Sequence, residues 1–321
     1  MPLSMVIERH ARASRRASAA GIALVSVLWL LVLLSLIVLN LAGGTRIELQ
    51  LASNLRLAAS ARHVAEAGVN WGLWSLLQAN TAGWLADGST RNLELDGFNV
   101  EVALVDEQGK IDLNEASPEL LQGLFESVGL AKEAAQTQVD AILDWRDEDQ
   151  LPSPRGAEEE QYQALGLTGP GNAPFEQLPE LRQVLGMTPE LYQQVLPALT
   201  LYSNKAEVNP LVAPREVLLA LPGNSPEGVE RFIEERRRNY LSGQRPPLLS
   251  GVDPLLLAPN APGVNYSIIT KTTLGPGLQT QQQVLVHLRG VGRGQGFEVL
   301  QNTSGTEERP PSPTLEARGT P

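Results

Sequence analysis

The segment AGIALVSVLW, residues 20–29, opens an apolar run that extends to Leu41. Residues 22–41 contain no charged side chain, and as a helix they would span about 30 Å, the thickness of the hydrocarbon core of a bilayer. Because cytoplasmic flanks of membrane helices are rich in positive charge, the N-terminus is predicted to be cytoplasmic and the body exported. The positive residues before the run are Arg9, Arg12, Arg15 and Arg16.

The helical pattern does not stop at the end of the apolar run. Apolar residues recur among charged ones as far as Leu77, with no proline between them. One long helix from residue 22 to about residue 78 is therefore predicted, with residues 22–41 as its transmembrane part. Two alternatives are a secretory signal removed near residues 42–44 and a plain uncleaved anchor, but neither explains why the helix continues.

A membrane helix that continues into a long amphipathic helix resembles the N-terminus of type IV pilins and pseudopilins. The resemblance implies that a prepilin peptidase cleaves the bond between Gly21 and Ile22 and that the new amine of Ile22 is N-methylated. Most of that family carries a glutamate at position five of the mature chain, where this sequence has Ser26. A carboxylate in the membrane needs a partner, which the family is thought to find in the subunit above. The absence of this glutamate is compatible with a tip subunit. It is also compatible with a chain that is not a pilin.

The composition excludes several classes of function. The net charge is −11, and since residues 1–21 contain four arginines and one glutamate, the remaining chain carries −14, which argues against general nucleic-acid binding. The absence of cysteine excludes disulfides, thiolate metal sites and cysteine nucleophiles. A histidine-based metal site or catalytic triad is disfavoured, and the chain is predicted not to be an enzyme. Its three histidines, far apart, are His10, His63 and His287.

Strand patterns flank a helical block in the body of the chain. Residues 92–95 and 98–105 alternate around the turn Asp96-Gly97, as in a β-hairpin, and three more strand patterns follow residue 266. The predicted fold is α+β, with a pilin-like long N-terminal helix packed on an antiparallel sheet and a large all-α domain inserted between strands. The predicted segments are a cytoplasmic leader at 1–21, the transmembrane helix at 22–41, its continuation with the first strands at 42–111, the helical domain at 112–262, the remaining strands at 263–301 and a disordered tail at 302–321.

Two pieces of the helical block share a pattern. Residues 110–121 and 206–218 each contain an asparagine, then Ala-Ser-Pro or Ala-Pro, then an apolar helix. The pattern resembles helix-hairpin-helix (SAM-like) modules, which in DNA-uptake and repair proteins hold phosphates with backbone amides. A membrane-anchored periplasmic DNA-binding or uptake protein is therefore the alternative function. The arginines at 236–238 lie among glutamates, however, and a solvated helix face with ion pairs explains them at least as well.

The densest acidic cluster lies at residues 140–160. Asp140, Asp144 and Asp147 share one face of a predicted helix that ends near Asp149, before two prolines. The loop after the helix would return Glu158 or Glu159 to the helix end. Oxygen ligands from a helix end and a loop suit Ca²⁺, which accepts about six to eight of them in flexible geometry.

Other interpretations of this cluster stay open. Its spacing is not that of an EF-hand, and a solvated acidic loop with Arg146 and Arg155 as counter-charges accounts for it equally well. A paired-carboxylate hydrolase is also conceivable, although nothing else in the sequence indicates a substrate cleft.

Several segments together resemble the general secretion pathway protein K family, the K-type minor pseudopilins of type II secretion systems. The resemblance covers residues 21–300, nearly the whole chain, and its motifs are specific as a set. The family also lacks the glutamate at mature position five, in agreement with Ser26. The segments that carry the resemblance lie at 106–114, 141–149, 156–162, 180–192 and 206–214.

The resemblance implies a non-enzymatic tip subunit that helps initiate or cap the pseudopilus, which drives folded proteins through the outer membrane. Implied partners are the I- and J-type minor pseudopilins, the major pseudopilin, the prepilin peptidase and the inner membrane, with no nucleic acid. The chain would cross the inner membrane once, with its bulk in the periplasm. Members of the family bind Ca²⁺, and the resemblance carries this cofactor to Asp144, Asp147, Asp149, Glu158 and Glu159 as candidate ligands.

Overall fold

The first helix, α1, extends over Ala11–Leu77 in the computed structural model, so it ends where the sequence predicts but begins before the predicted start at residue 22. Side chains 23–39 of this helix are exposed, and the hydroxyl of Ser26 donates to the carbonyl of Ala23 at 2.9 Å. None of the helices in the described part of the chain combines the length and apolar character that a membrane crossing requires. The structure describes residues 11–78, 84–275, 278–289 and 296–308, with side chains except at 11–22, 40–48, 274–275, 278 and 306–308.

Part of the N-terminal prediction falls on residues that are not described. Residues 1–10 of the predicted leader lie outside the described residues altogether. Gly21 and Ile22, on either side of the predicted cleavage bond, lie outside the residues whose side chains are described. The same is true of both ends of the predicted transmembrane segment.

The strands form a five-stranded antiparallel sheet in the order β1-β2-β5-β6-β7. The predicted hairpin is present, with Asp96 and Gly97 at its turn in the left-handed region at φ 51° and 77°. The strands are β1 (Asp87–Leu95), β2 (Phe98–Asp106), β5 (Asn265–Gly275), β6 (Leu278–Arg289) and β7 (Gly296–Glu308).

The C-terminal part of α1 packs on one face of this sheet. Its contact stripe is Ala61, Val64, Ala65, Gly68, Gly72 and Ser75, all buried at helical spacing. The sheet contributes alternate residues such as Val102, Leu104 and Ile268. A Cβ on Gly72 would lie 2.7 Å from Cγ2 of Ile268, so glycine here lets the helix approach the strands closely.

The helical domain is inserted between β2 and β5, which are adjacent in the sheet. Its core is a separate apolar cluster that includes Leu120, Ile142, Tyr162 and Leu218. A short parallel pair, β3 with β4, lies inside the insertion. Its elements are β3 (Ile111–Asp112), α2 (Pro118–Ser127), α3 (Lys132–Arg146), α4 (Glu159–Ala164), α5 (Pro189–Val195), β4 (Leu199–Thr200), α6 (Arg215–Ala220) and α7 (Pro226–Leu241), with single turns of 3₁₀-helix at Glu107–Gly109, Leu178–Gln183, Leu196–Ala198 and Pro254–Leu256.

The two predicted helix-hairpin-helix pieces correspond to the pairs α2/α3 and α6/α7. Ser117 caps α2 by accepting from the backbone N–H of Leu120 at 3.3 Å, with Pro118 at the first helical position. The pairs meet where α2 packs on α6. At this contact a Cβ on Gly123 would lie 2.0 Å from the carbonyl oxygen of Ala220.

The end of the last strand differs from the sequence prediction. Residues 302–308, predicted to be disordered, continue β7, where Asn302 pairs with Val284 and Glu308 with Leu278. The serine, threonine and glycine content of this segment suggested disorder, but a ladder of backbone hydrogen bonds to β6 holds it in the sheet. Residues 309–321 of the predicted tail lie outside the described residues.

Candidate metal centre

The acidic loop is attached to α3 through two buried aspartates. Asp140 accepts from the backbone N–H of Arg155, and both carboxylate oxygens of Asp144 accept from that of Ser153, each at 3.1 Å. The loop approaches Asp144 so closely that a Cβ on Gly156 would lie 1.9 Å from its Oδ2. Glycine at 156 therefore allows the loop to fold back over the end of the helix.

The fold-back brings three carboxylates together. Oxygen atoms of Asp144, Asp147 and Glu158 all lie within 4.8 Å of one another. Asp144 is fully buried and Glu158 is only 4% exposed. Both carboxylate oxygens of Glu158 and Oδ1 of Asp147 are buried without a hydrogen-bond partner in the described structure. Such oxygens are costly to bury unless something outside the protein chain contacts them.

The electrostatics of the cluster are those of crowded carboxylates. Burial raises the pKa of the Glu158 carboxyl, and the neighbouring charge of Asp144 raises it further. Burial also raises the pKa of Asp147, with further contributions from Asp149 and Asp144. The apo site therefore resists full ionisation, and a bound cation would favour the charged forms of these groups.

The two arginines near the loop form no ion pair with its carboxylates in the described structure, although the charge of Arg146 opposes the rise in the pKa of Asp147. The guanidinium of Arg146 donates to the backbone carbonyls of Leu113 and Ala116, the latter at 3.0 Å. The contact that Arg155 makes with α3 is through its backbone. Among the described residues, no ion pair reaches Asp144, Asp147 or Glu158. The interpretation as a solvated loop with local counter-charges therefore fits poorly.

The other two predicted ligands lie at the edge of the cluster. Asp149 is exposed, and its Oδ1 accepts from the backbone N–H of Leu151 at 2.8 Å. Glu159 is exposed as well, and its Oε1 accepts from Nε2 of Gln163 at 2.6 Å. Three of the five predicted carboxylates therefore form the inner group, while Asp149 contributes to its negative field.

An aromatic group lies beside the carboxylates. Trp145 stacks on Phe175 with ring centroids 5.9 Å apart and contacts Tyr162 at 6.0 Å. The hydroxyl oxygen of Tyr162 accepts from the backbone N–H of Leu185 at 2.9 Å, which ties α4 to the rest of the domain. These contacts give the cluster a rigid, apolar base.

This donor set fits a hard divalent cation. Three carboxylates from a helix end and a returning loop supply anionic oxygens only, which suits Ca²⁺ better than a soft metal. The unpartnered oxygens of Glu158 are the observation that favours an ion over a purely structural cluster. When bound, a calcium ion would supply positive charge and hold α3 to the loop.

Sequence reasoning missed three features of this region. It did not identify the backbone contacts of Asp140 and Asp144 with the loop, nor the close approach at Gly156. It also missed Asn172, whose Oδ1 is buried and unpartnered. The only available signal was the Gly-Pro-Gly-Asn sequence at 169–172, which indicates a turn.

The second helix-hairpin-helix turn does not present a phosphate site in the described structure. A Cβ on Gly223 would lie 2.3 Å from the carbonyl oxygen of Gly251, so a loop covers the second turn. Arg236, predicted to lie on a solvated face, is instead 4% exposed and pairs with Asp87 at 3.1 Å. Arg215 pairs with Glu230. The DNA-binding alternative is therefore not favoured.

Comparisons with known proteins point to one family. Residues 97–204 match the family model described as Type II secretion system (T2SS), protein K. Type II secretion system protein K of Klebsiella pneumoniae is 39% identical over 103 residues, which cover 30% of this chain and 31% of that protein. The protein of the same name from Dickeya chrysanthemi is 31% identical over 136 residues, 40% of this chain and 38% of that protein. The matched part thus spans about a third of the length of these curated relatives.

A solved structure shares the fold. The chain matches one described as the GspK-GspI-GspJ complex from enterotoxigenic Escherichia coli with a TM-score of 0.52 and 20% identity, over 81% of this chain and 99% of that one. The α+β fold predicted from the sequence is thereby confirmed. Residues 97–204, which contain the carboxylate cluster, are thus similar to protein K of type II secretion systems.

Proposed function

We propose that the chain is a minor pseudopilin of a type II secretion system, a non-enzymatic tip subunit that helps initiate or cap the pseudopilus. One observation carries the proposal: a long helix packs on an antiparallel sheet, and the match to protein K covers β2 and the first part of the domain inserted after it. A filament shaft is built from long helices packed side by side. A wide domain attached beside such a helix suits an end of the filament better than its interior.

The N-terminal part of α1 supports entry through the pilin route. Its apolar side chains are exposed, for example Leu24 and Trp29 at 70% each, so they need a membrane or partner helices to cover them. The hydroxyl of Ser26 is satisfied within its own helix and, unlike a carboxylate, requires no amine from a subunit above. We infer cleavage between Gly21 and Ile22 and N-methylation of Ile22.

The proposed partners follow from the same scaffold. The solved protein with this fold is described as part of a complex with GspI and GspJ. We propose I- and J-type minor pseudopilins as neighbours, contacting the apolar face of α1 and nearby loops of the sheet, with the major pseudopilin below them. The match to a type II secretion component supports a location in the cell envelope, and a single pass of the inner membrane with the bulk in the periplasm is the finer proposal.

The processing proposal is tested by the mass of the mature chain after co-expression with a prepilin peptidase. We expect a chain that begins at Ile22 and carries a methyl group on its amine. Gly21→Leu should block cleavage, whereas the matched substitution Gly43→Leu should leave it unchanged. The opposite pattern, or a cut near residue 44, would remove the chain from the pilin route and support the secretory-signal alternative.

The assembly proposal is tested by co-expression of the tagged chain with the I- and J-type minor pseudopilins. All three should copurify as one complex of defined mass in size-exclusion chromatography with light scattering. Retention of the chain on DNA in a salt-dependent manner, with no such complex, would favour the helix-hairpin-helix alternative instead.

We further propose that Asp144, Asp147 and Glu158 hold a calcium ion. The support is the buried Glu158 carboxylate, which lacks a hydrogen-bond partner and lies within 4.8 Å of two other carboxylates. The ion would offset the mutual repulsion of these groups and fix the loop on α3. Asp149 and Glu159 remain candidate outer ligands.

The calcium proposal is tested by thermal unfolding with calcium and with EDTA. Binding to the folded state alone raises stability by about 2.7 kcal/mol when the free ion is at 100 times its Kd. We expect Asp147→Ala to abolish most of this gain in stability. Glu160→Gln also removes one negative charge, but at an exposed position in α4, and should preserve the gain. A melting temperature of the parent that is the same in calcium and in EDTA would exclude the site.

A further inference from the structure

Asn172 carries a buried polar atom that the hydrogen bonds of the domain leave unused. Its Oδ1 is buried and accepts no hydrogen bond in the described structure. Its backbone has a φ of 45°, in the left-handed region that asparagine tolerates better than most residues. A buried amide oxygen without a partner is costly, so its position calls for a ligand or another function.

The segment that carries Asn172 packs against the residue at the centre of the carboxylate motif. The backbone N–H of Ala173 donates to the carbonyl of Trp145 at 3.4 Å. A Cβ on Gly171 would lie 2.9 Å from Nε1 of the Trp145 indole, so this segment lies directly on that ring. Trp145 follows Asp144 and precedes Asp147 by two positions, which brings Asn172 to the same end of α3.

A cavity relates Asn172 to the start of α4 as well. Asn172 and Glu159 line the same cavity, of about 420 Å³. Glu159 directly follows Glu158, the carboxylate with both oxygens unpartnered. The segment of Asn172 thus contacts the end of α3 and borders the start of α4, near the residues that supply the three carboxylates.

We propose that Asn172 supplies a neutral oxygen ligand, through Oδ1, to the cation held by Asp144, Asp147 and Glu158. This inference rests on the calcium site proposed above. Three carboxylates already carry more negative charge than a divalent cation neutralises, so a further oxygen is better supplied by an amide than by another acid. Amide oxygens of asparagine are ordinary ligands of Ca²⁺ and poor ligands of soft metals.

The alternative is that Asn172 only shapes the turn at 169–172, by tolerating its left-handed backbone. The two roles differ in what a substitution preserves. Glycine keeps the backbone conformation but removes the oxygen, whereas aspartate keeps both an oxygen and a tolerance of positive φ. Asn172→Gly and Asn172→Asp therefore separate the ligand from the turn.

The first test is isothermal titration of calcium into the full-length parent and these two variants in detergent. We expect Asn172→Gly to raise the calcium Kd about 10-fold or more, the range seen when groups that support a metal are lost. Asn172→Asp should lose less affinity than Asn172→Gly, because it keeps an oxygen although it adds a fourth carboxylate. A glycine variant that binds calcium as tightly as the parent would overturn the inference.

A second readout tests ligation itself. Lifetimes of bound terbium(III) luminescence in H₂O and D₂O count the waters on the ion, and Asn172→Gly should gain about one water, since each oxygen ligand lost leaves one position open. An unchanged water count would assign Asn172 a structural role and overturn the inference even if the affinity fell. If the parent binds no calcium, both the proposed calcium site and this inference fail. If the parent binds calcium and Asn172→Gly changes neither the Kd nor the water count, only the inference about Asn172 fails.

Discussion

The two helix-hairpin-helix pairs have a similar local pattern but differ in how their buried charges are paired. The pair α2/α3 ends in a carboxylate cluster with which no arginine in the described structure forms an ion pair. The pair α6/α7 buries one arginine, Arg236, which donates to Asp87 of β1 and to the carbonyls of Pro210 and Ala213. The second pair thus balances its charge within the chain, whereas the first has carboxylates that we propose are balanced by an ion.

This difference matches what each pair contacts. Arg236 joins the inserted domain to the sheet through a partner that the chain itself supplies. The carboxylate cluster joins α3 only to its own loop, at a distance in sequence from the sheet. A link that depends on an external ion would vary with the concentration of that ion, whereas an ion pair within the chain would not.

The largest effect is expected from breaking the internal pair. Asp87→Ala leaves the buried Arg236 without its counter-charge, which should lower the free energy of unfolding by about 3–5 kcal/mol. The midpoint of urea unfolding measures this loss. Replacing both residues by apolar ones, Asp87→Leu with Arg236→Met, should restore most of it. A loss below about 1 kcal/mol in the single variant would mean that the pair acts as a surface ion pair.

The next effect concerns the joint between the pairs. Gly123→Ala places a methyl group against the carbonyl oxygen of Ala220, and forcing α2 away from α6 should cost about 1–3 kcal/mol. Urea unfolding again gives the value. Glu126→Ala, an exposed change in the same helix, should stay within about 0.5 kcal/mol of the parent. Equal effects of the two variants would show that the pairs do not depend on this close contact.

A smaller effect should reverse its sign with calcium. In EDTA, Glu158→Gln removes one of the crowded buried charges and should stabilise the chain by on the order of 1 kcal/mol. In calcium the same variant should be less stable than the parent, because it loses a ligand. Glu160→Gln serves as the control and should follow the parent in both conditions. A variant that is destabilised equally with and without calcium would refute the cation site at this residue.

The smallest effect is a dependence on pH in the absence of calcium. The folded state raises the pKa of Asp147 and Glu158, so it binds protons more tightly than the unfolded chain does. Their contribution to stability is therefore present at acid pH and is lost as the pH rises from about 4, the ordinary value, through the raised pKa. The contribution of the two groups is measured as the difference in urea midpoint between the parent and the double variant Asp147→Asn/Glu158→Gln. The measurement is made in EDTA across this range of pH. A difference that is constant with pH would show that the two groups titrate normally.

Local patterns were sufficient to predict most of the fold. The hairpin at Asp96-Gly97 and the cap at Ser117 depend on neighbouring residues, and the structure contains both. The carboxylate cluster was predictable in part, because helical spacing relates Asp144 to Asp147 and the prolines imply a loop that returns. Only tertiary contacts distinguish Glu158, which is buried, from the exposed Glu159.

The failures share a physical cause, which is pairing between distant segments. Arg236 was assigned to a solvated face because its neighbours in sequence are glutamates, yet its partner Asp87 belongs to another part of the chain. The segment at 302–308 lacks apolar side chains, and only its pairing with β6 orders it. Asn172 gave no signal beyond that of a turn, because its segment packs against Trp145, which is distant in sequence.

The insertion of a whole domain between neighbouring strands has a consequence for the order of folding. Asp106 of β2 pairs with Tyr266 of β5, so this central ladder must close across all the residues of the insertion. Closing so long a flexible loop is entropically costly and slow. In the folded domain the two ends are already joined, since Asp106 accepts from the backbone N–H of Gly263 at 2.9 Å and Asn209 donates to the carbonyl of Gln108 at 2.7 Å. The helical domain is therefore expected to fold first and to act as the template on which the sheet is completed.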